Sequence, residues 1–145
     1  MQYKIWDLDG TVIDSSHRYS TLANGDIDLP KWIADNTREN IEQDKLLPLA
    51  RLMRSNYRQG DIVIICTARV LGVWDHVFLA DHGIKAHFIL SRALGDNRGD
   101  ALLKQSKLFA LFADLKVPFA RWTRNATFYD DNQGVLDMAE KFGIR

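Results

Sequence analysis

The stretch Tyr3-Lys4-Ile5-Trp6-Asp7-Leu8-Asp9-Gly10-Thr11 constrains the fold most, because an apolar run of one strand's length ends abruptly in two carboxylates, a glycine and a hydroxyl. Ile5, Trp6 and Leu8 suit a buried strand. Asp7 and Asp9 are poor strand formers and costly to bury unpaired. Alternate side chains on a strand share a face, so both carboxylates can converge on one point, and a cation there would offset their desolvation. Gly10 lets the backbone turn closely around that point. An isolated Asp-x-Asp triplet is often only a turn or a helix cap; Asp-Leu-Asp-Gly-Thr after an apolar amino-terminal strand is far more specific.

A second run, Asp61-Ile62-Val63-Ile64-Ile65-Cys66-Thr67, is continuously β-branched and apolar, the pattern of a strand buried on both faces of a parallel sheet. It too ends in a hydroxyl. Around these two runs the chain alternates strand and helix. Pro48 is expected to open a helix reaching about Tyr57, with Leu49, Leu52 and Met53 on one face and Gly60 as its stop. Val70 to His82 reads as a helix closed by Gly83, and Ala86 to Leu90 as a third strand. Asp100 is expected to cap a helix turning Leu102, Leu103, Leu108, Phe109 and Phe112 to the core, with Pro118 beyond its end. Ala126 to Asp131 reads as a fourth strand ending in a carboxylate pair, and Val135 to Phe142 as a closing helix. The segment from 12 to about 45 is polar and weakly periodic, with a turn at Asn24-Gly25-Asp26 and a short helix at Pro30, and is expected to form a small flap.

Such alternation implies an α/β fold, a Rossmann-like three-layer sandwich with a central parallel sheet. The 145 residues suit a single domain, 1–145, with the flap as an insert. In open sheets of this type ligands bind beyond the carboxyl ends of the strands. Asp7 and Asp9, Thr67, and Asp130 and Asp131 all fall at such ends.

Charge narrows the partners. Lys plus Arg equals Asp plus Glu at 19 each, with no basic tail, so an extended duplex track is not indicated. No apolar run approaches the ~18 residues of a membrane span, and no signal peptide precedes the first strand. The lone Cys66 is expected to be a small buried hydrophobe in a reducing compartment. A soluble cytoplasmic protein is the expectation (host cytoplasm if viral), without membrane contact or an evident obligate protein partner.

With Asp-Leu-Asp-Gly-Thr at the first strand, Thr67 at a later strand end, a subsequent lysine and Asp130-Asp131 at another strand end, the chain resembles the haloacid dehalogenase superfamily. These are mostly magnesium-dependent phosphatases. The resemblance implies that Asp7 attacks phosphorus to form an aspartyl-phosphate, while Asp9 protonates the leaving oxygen and later activates water. It implies Mg²⁺ held by Asp7, the Asp9 carbonyl, Asp130 and Asp131, with Thr67 and Lys104 gripping phosphate. Plain alternatives stand beside these roles. Thr67 can cap a following helix, Lys104 can be a solvated helix residue with Lys107 as its rival, and the aspartate pair can cap α-helical N–H groups.

A narrower likeness is to the phosphatase half of phage polynucleotide kinase/phosphatase and its stand-alone phage relatives. Asp14-Ser15-Ser16-His17-Arg18 is similar to a D-x-x-H-R element there, Thr67-Ala68-Arg69 to a Thr/Ser-Gly-Arg turn with Ala68 in place of the usual glycine, and Arg92 to Lys104 to an R-x-x-G-D-x-R-x-D-x-x-x-K run, which favours Lys104 over Lys107. No GxxxxGK[ST] kinase motif is present in the sequence. Arg69, Arg92, Thr11, His17 and Arg18 are the corresponding substrate-binding candidates, although His17 and Arg18 equally suit a flap anchor. Arg98 suits a loop brace with Asp96 or Asp100. Trp32, Trp74 and Trp122 suit core or flap packing more than base stacking. The expected substrate is a phosphorylated nucleotide or nucleic-acid end, above all a 3′-phosphate. The alternatives are a small-molecule phosphatase or nucleotidase acting on free mononucleotides and, less favoured, a non-catalytic nucleotide-binding module.

Overall fold

The computed structural model describes residues 1–145. In chain order the elements are β1 (Tyr3–Trp6), β2 (Ile13–Asp14), α1 (Leu29–Asp35), α2 (Arg38–Glu42), β3 (Lys45–Leu46), α3 (Ala50–Arg58), β4 (Ile62–Cys66), α4 (Val73–Asp81), β5 (Phe88–Leu90), α5 (Asp100–Asp114), α6 (Phe119–Arg124), β6 (Ala126–Tyr129) and α7 (Gln133–Lys141).

A four-stranded parallel sheet has the order β5-β4-β1-β6. The first strand is therefore central, flanked by the strands leading to Thr67 and to Asp130. The strand alternation separates two cores. Tyr3 and Ile5 of β1, Ile64 and Cys66 of β4 and Phe128 of β6 face α5 and α7, where Leu108, Phe112, Val135 and Met138 cover them. Trp6, Leu8, Val63 and Ile65 face the other way, against Met53 of α3 and Phe78 and Leu79 of α4. Each fully buried Ile or Leu contributes roughly 1.5–3 kcal/mol relative to exposure. The Trp6 indole stacks on Tyr129 at 3.8 Å, and its Nε1 donates to Asn56 Oδ1 at 3.1 Å, so its one polar atom is satisfied in the core. Cys66 is buried in an apolar setting that pushes its thiol up to about 12.

The structure departs from the sequence expectations in four places. The segment after β1 is more ordered than a loop with one helix, since β2 pairs antiparallel with β3 and α2 follows α1. Leu49, Leu52 and Leu102 point outward, because the buried stripe of α3 runs through Ala50, Met53 and Asn56 and that of α5 through Leu103, Lys104, Leu108 and Phe112. Residues 119–124 form a helix that closes the apolar face with Trp122 stacked on Phe112 at 4.3 Å. Asp100 begins α5 without capping it; its carboxylate accepts from Ile27 N at 3.1 and 3.3 Å and from Arg92 at 3.2 Å.

Candidate active site

Because β1, β4 and β6 are parallel neighbours, their carboxyl ends deliver Asp7, Thr67 and Asp130 to one edge. The backbone seats them, with Asp7 N donating to Tyr129 O and Thr67 N to Leu90 O, each at 2.9 Å. Gly10 makes the turn at φ +78°, and a Cβ there would land on the Asp131 carboxylate, so only glycine permits Asp131 to approach.

Lys104 projects from α5 into this edge and is 2% exposed. Its Nζ donates to Asp7 Oδ1 at 2.9 Å and to Asp130 Oδ2 at 2.6 Å. The rival Lys107 makes no ion pair. Thr11 Oγ1 donates to Asp7 Oδ2 at 3.3 Å. Thr67 is buried, and its hydroxyl oxygen accepts from Arg69 N at 3.1 Å, which shapes the turn after β4 rather than capping a helix.

Asp7, Asp130 and Asp131 bring carboxylate oxygens within 4.8 Å of one another. Burial and the neighbouring carboxylates push Asp7 up to about 7, against the opposing pull of Lys104. Burial and the charge of Asp7 push Asp131 up to about 6. Burial also raises Asp130, despite the lysine. Oxygen donors packed so closely that protons are retained are a hard, anionic donor set, and a divalent cation fits it in place of those protons.

Asp9 faces a different environment. Arg69 donates to its two oxygens from Nε at 2.8 Å and Nη2 at 2.5 Å, and Ser15 Oγ donates as well. Desolvation opposes ionisation, but Arg69 with Ser15 prevails and holds the carboxyl below its ordinary value. The other side of the Arg69 guanidinium donates to Asp75 Oδ1 at 2.8 Å.

Four expected substrate contacts are therefore anchors in this structure. Arg69 is buried and its fork is committed to Asp9 and Asp75. Arg92 donates to the Ala68, Asp96 and Arg98 carbonyls and so shapes the loop from 91 to 99. Arg18 donates to Asp44 at 2.9 and 2.6 Å and to Asn36 at 3.2 Å. His17 Nε2 lies 2.8 Å from Asn40 O. The sequence reading missed the arginine partners Asp44 and Asp75 and the role of Ser15 as a donor to Asp9, each an ordinary residue until the fold brings it to a charge. Trp32 packs in the flap as expected, buried with Ile27 and Ala68, and its ring also lies 4.2 Å from the Arg18 and 4.8 Å from the Arg69 guanidinium carbon. Trp74 is half-exposed against Arg38, and Trp122 is core.

A family model described as bacteriophage T5 5′-deoxynucleotidase matches residues 1–145. The 5′-deoxynucleotidase of Escherichia phage T5 is 30% identical over 161 residues, covering 97% of this chain and 64% of that protein, so the chain spans less than two thirds of its relative. A chain of the Pnkp1/Rnl/Hen1 RNA repair complex superposes with TM-score 0.66 at 25% identity, over 99% of this chain and 40% of the other. A haloacid dehalogenase-like hydrolase from Streptococcus pneumoniae superposes with TM-score 0.68 at 14% identity, over 100% of this chain and 82% of that one. A HAD-superfamily hydrolase from Geobacter sulfurreducens does so with TM-score 0.68 at 15% identity, over 99% and 86%. The fold is thus haloacid dehalogenase-like.

Proposed function

This chain belongs to the bacteriophage T5 5′-deoxynucleotidase family, and from that premise we propose that it is a phosphomonoesterase of nucleoside monophosphates working through a phosphorylated Asp7. The observation that carries the reading is the meeting of Asp7, Lys104 and Asp130 at one strand edge, with Lys104 Nζ 2.9 and 2.6 Å from the two carboxylates. A binding module has no use for a buried carboxylate paired to a lysine at the end of a central strand.

Asp7 Oδ attacks phosphorus while the bond from phosphorus to the ester oxygen breaks, and the nucleoside departs with a proton on that oxygen. Water then attacks the phosphorus, the bond to Asp7 breaks, and inorganic phosphate leaves. Lys104, Thr67 and Thr11 hold the transferring phosphoryl oxygens and offset their charge. Asp9 accepts the proton of the attacking water. Its ionised state in the Arg69 fork suits this base role, and to donate a proton to the leaving oxygen it must first leave that fork and take up a proton from solvent, which the later water attack returns to it. Asp7, Asp130, Asp131 and the Asp9 carbonyl would hold Mg²⁺, which when bound neutralises phosphate charge that otherwise repels the nucleophile.

The expected preference for a 3′-phosphate on a nucleic-acid end becomes the second reading. It is favoured by the likeness to the RNA repair complex chain, whereas the family and the T5 relative are named for a 5′-deoxynucleotidase. Phosphate release from 5′- and 3′-deoxynucleoside monophosphates and from 3′-phosphorylated oligonucleotides tests the choice. Fastest turnover of the 5′-mononucleotides is expected; exclusive turnover of the oligonucleotides would establish the second reading instead.

A further inference from the structure

The phosphate edge accounts for only half of a nucleotide. A cavity of about 260 Å³ opens beside Asp131, between the flap residues Tyr19, Thr21, Asn24 and Gly25 and the first turn of α7 at Gln133. Its size is below the roughly 300–1,000 Å³ usual for drug-sized ligands, and so suits one nucleoside. Its chemistry is polar, offering a phenol, a hydroxyl and three carboxamides beside the Asp131 carboxylate, and no lysine, arginine or histidine lines it. Resting on the nucleotidase reading above, we infer that this cleft is the nucleoside subsite, with Tyr19 as its specificity-determining residue and the sugar and base lying between flap and α7.

Three relationships support the assignment. Tyr19 is tied to the catalytic edge through Ser15, because Tyr19 N donates to Ser15 O at 2.8 Å while Ser15 Oγ donates to Asp9. The Tyr19 ring meets Trp32 edge to face at 5.7 Å, which fixes the flap wall, and its hydroxyl makes no hydrogen bond within the protein. The cleft is braced as well: Asn132 Nδ2 donates to Gly25 O at 3.1 Å, and Ile27 N donates to Asp100, so two separate contacts hold the flap to the body. A braced cleft loses little freedom when ligand enters.

The missing cations decide between substrates. A polynucleotide brings a further phosphate with every residue, and gripping that backbone needs Lys or Arg. One groove that has them, lined by Arg54, Arg58 and Lys85, lies at the opposite edge of the sheet, where α3 delivers the chain into β4, and in the cavity between the flap and residues 92–100 Arg92 is committed to carbonyls and Arg98 to Asp96. A cleft without cations beside the phosphate edge fits a nucleoside carrying one phosphate.

The experiment compares kcat/KM for 5′-deoxynucleoside monophosphates with kcat/KM for p-nitrophenyl phosphate, which has neither sugar nor base, in the full-length protein with Mg²⁺. Tyr19→Phe removes only the free hydroxyl, and Thr21→Trp, at an exposed flap position, fills the cleft without touching the core. In each variant the nucleotide-to-aryl-phosphate ratio is expected to fall about tenfold, the worth of one good hydrogen bond or more, chiefly through KM. An unchanged ratio in both variants would place the nucleoside elsewhere and overturn the subsite. Equal losses on both substrates would also overturn it, making these residues part of the phosphate machinery. If the unaltered protein cleaves p-nitrophenyl phosphate but no mononucleotide, the nucleotidase reading itself fails and the subsite falls with it, a result distinct from the other two.

Discussion

Lys104 Nζ donates to Asp7 Oδ1 at 2.9 Å, joining the end of the first strand to a helix 97 residues later. The same ammonium reaches Asp130, so one cation offsets two buried carboxylates before any metal does. On the mechanism proposed above, the same ammonium would donate to the equatorial oxygens of a phosphate approaching Asp7. Lys104→Met is expected to lower kcat about 10²–10³-fold, the usual loss when a charge-stabilising donor is removed. Lys104→Arg should not restore it, since a planar fork cannot replace a compact ammonium in a site only 2% exposed. Steady-state kinetics with a mononucleotide measure both.

The Arg69–Asp9 pair predicts a stability effect. Arg69→Ala leaves Asp9 and Asp75 buried without their fork, and breaking a buried pair in this way costs roughly 3–5 kcal/mol. Adding Asp9→Asn should recover part of that loss, a coupling of about 0.5–3 kcal/mol between contacting residues. Urea unfolding of the single and double variants measures the cycle; strictly additive losses would deny the pair any energetic role.

The central strand was legible because its residues obey two rules at once. Ile5 and Trp6 need a core, and Asp7 and Asp9 need a partner there, which forces a site at the strand's end. The β-branched run before Thr67 was equally plain. Asp75 and Asp44 were not, because a surface-helix aspartate and a buried counter-ion look alike until the chain places an arginine beside them. Arg69 and Arg92 read as phosphate forks by motif, yet inside the fold their donors are committed to Asp9, Asp75 and loop carbonyls. The 119–124 helix escaped notice since its six residues carry too little periodicity, and only the packing of Trp122 on Phe112 makes it stable. Leu102 misled in the opposite sense, as an apolar residue on the solvent side of α5.

The carboxylate cluster predicts how stability follows pH. Asp7 and Asp131, raised to about 7 and about 6, bind protons more tightly folded than unfolded. Their contribution is fully present below the ordinary carboxylate value and is lost as pH rises through those two values. Asp9, held low by Arg69, has the opposite sign and matters only in acid. The melting temperature of metal-free protein should therefore fall between about pH 4 and about pH 7, and Mg²⁺ should stabilise more at the upper end, where it replaces lost protons. Differential scanning fluorimetry with EDTA or Mg²⁺ reads both; a Mg²⁺ effect independent of pH would contradict the cluster as the metal site.

Gly10→Ala places a methyl on the Asp131 carboxylate at a positive φ. Strain of this kind costs of order 1–3 kcal/mol, and displacement of Asp131 should raise the Mg²⁺ concentration needed for half-maximal activity. A metal titration of phosphate release checks the second effect separately from the first.

The central claim is that Asp7 is the nucleophile of a nucleotide phosphomonoesterase. Phosphate release from 5′-deoxynucleoside monophosphates by the unaltered protein and by Asp7→Asn, with Mg²⁺ present and folding verified by circular dichroism, tests it most directly. Robust release by the first and none detectable from a folded Asp7→Asn is the predicted result; sustained turnover by folded Asp7→Asn would contradict it.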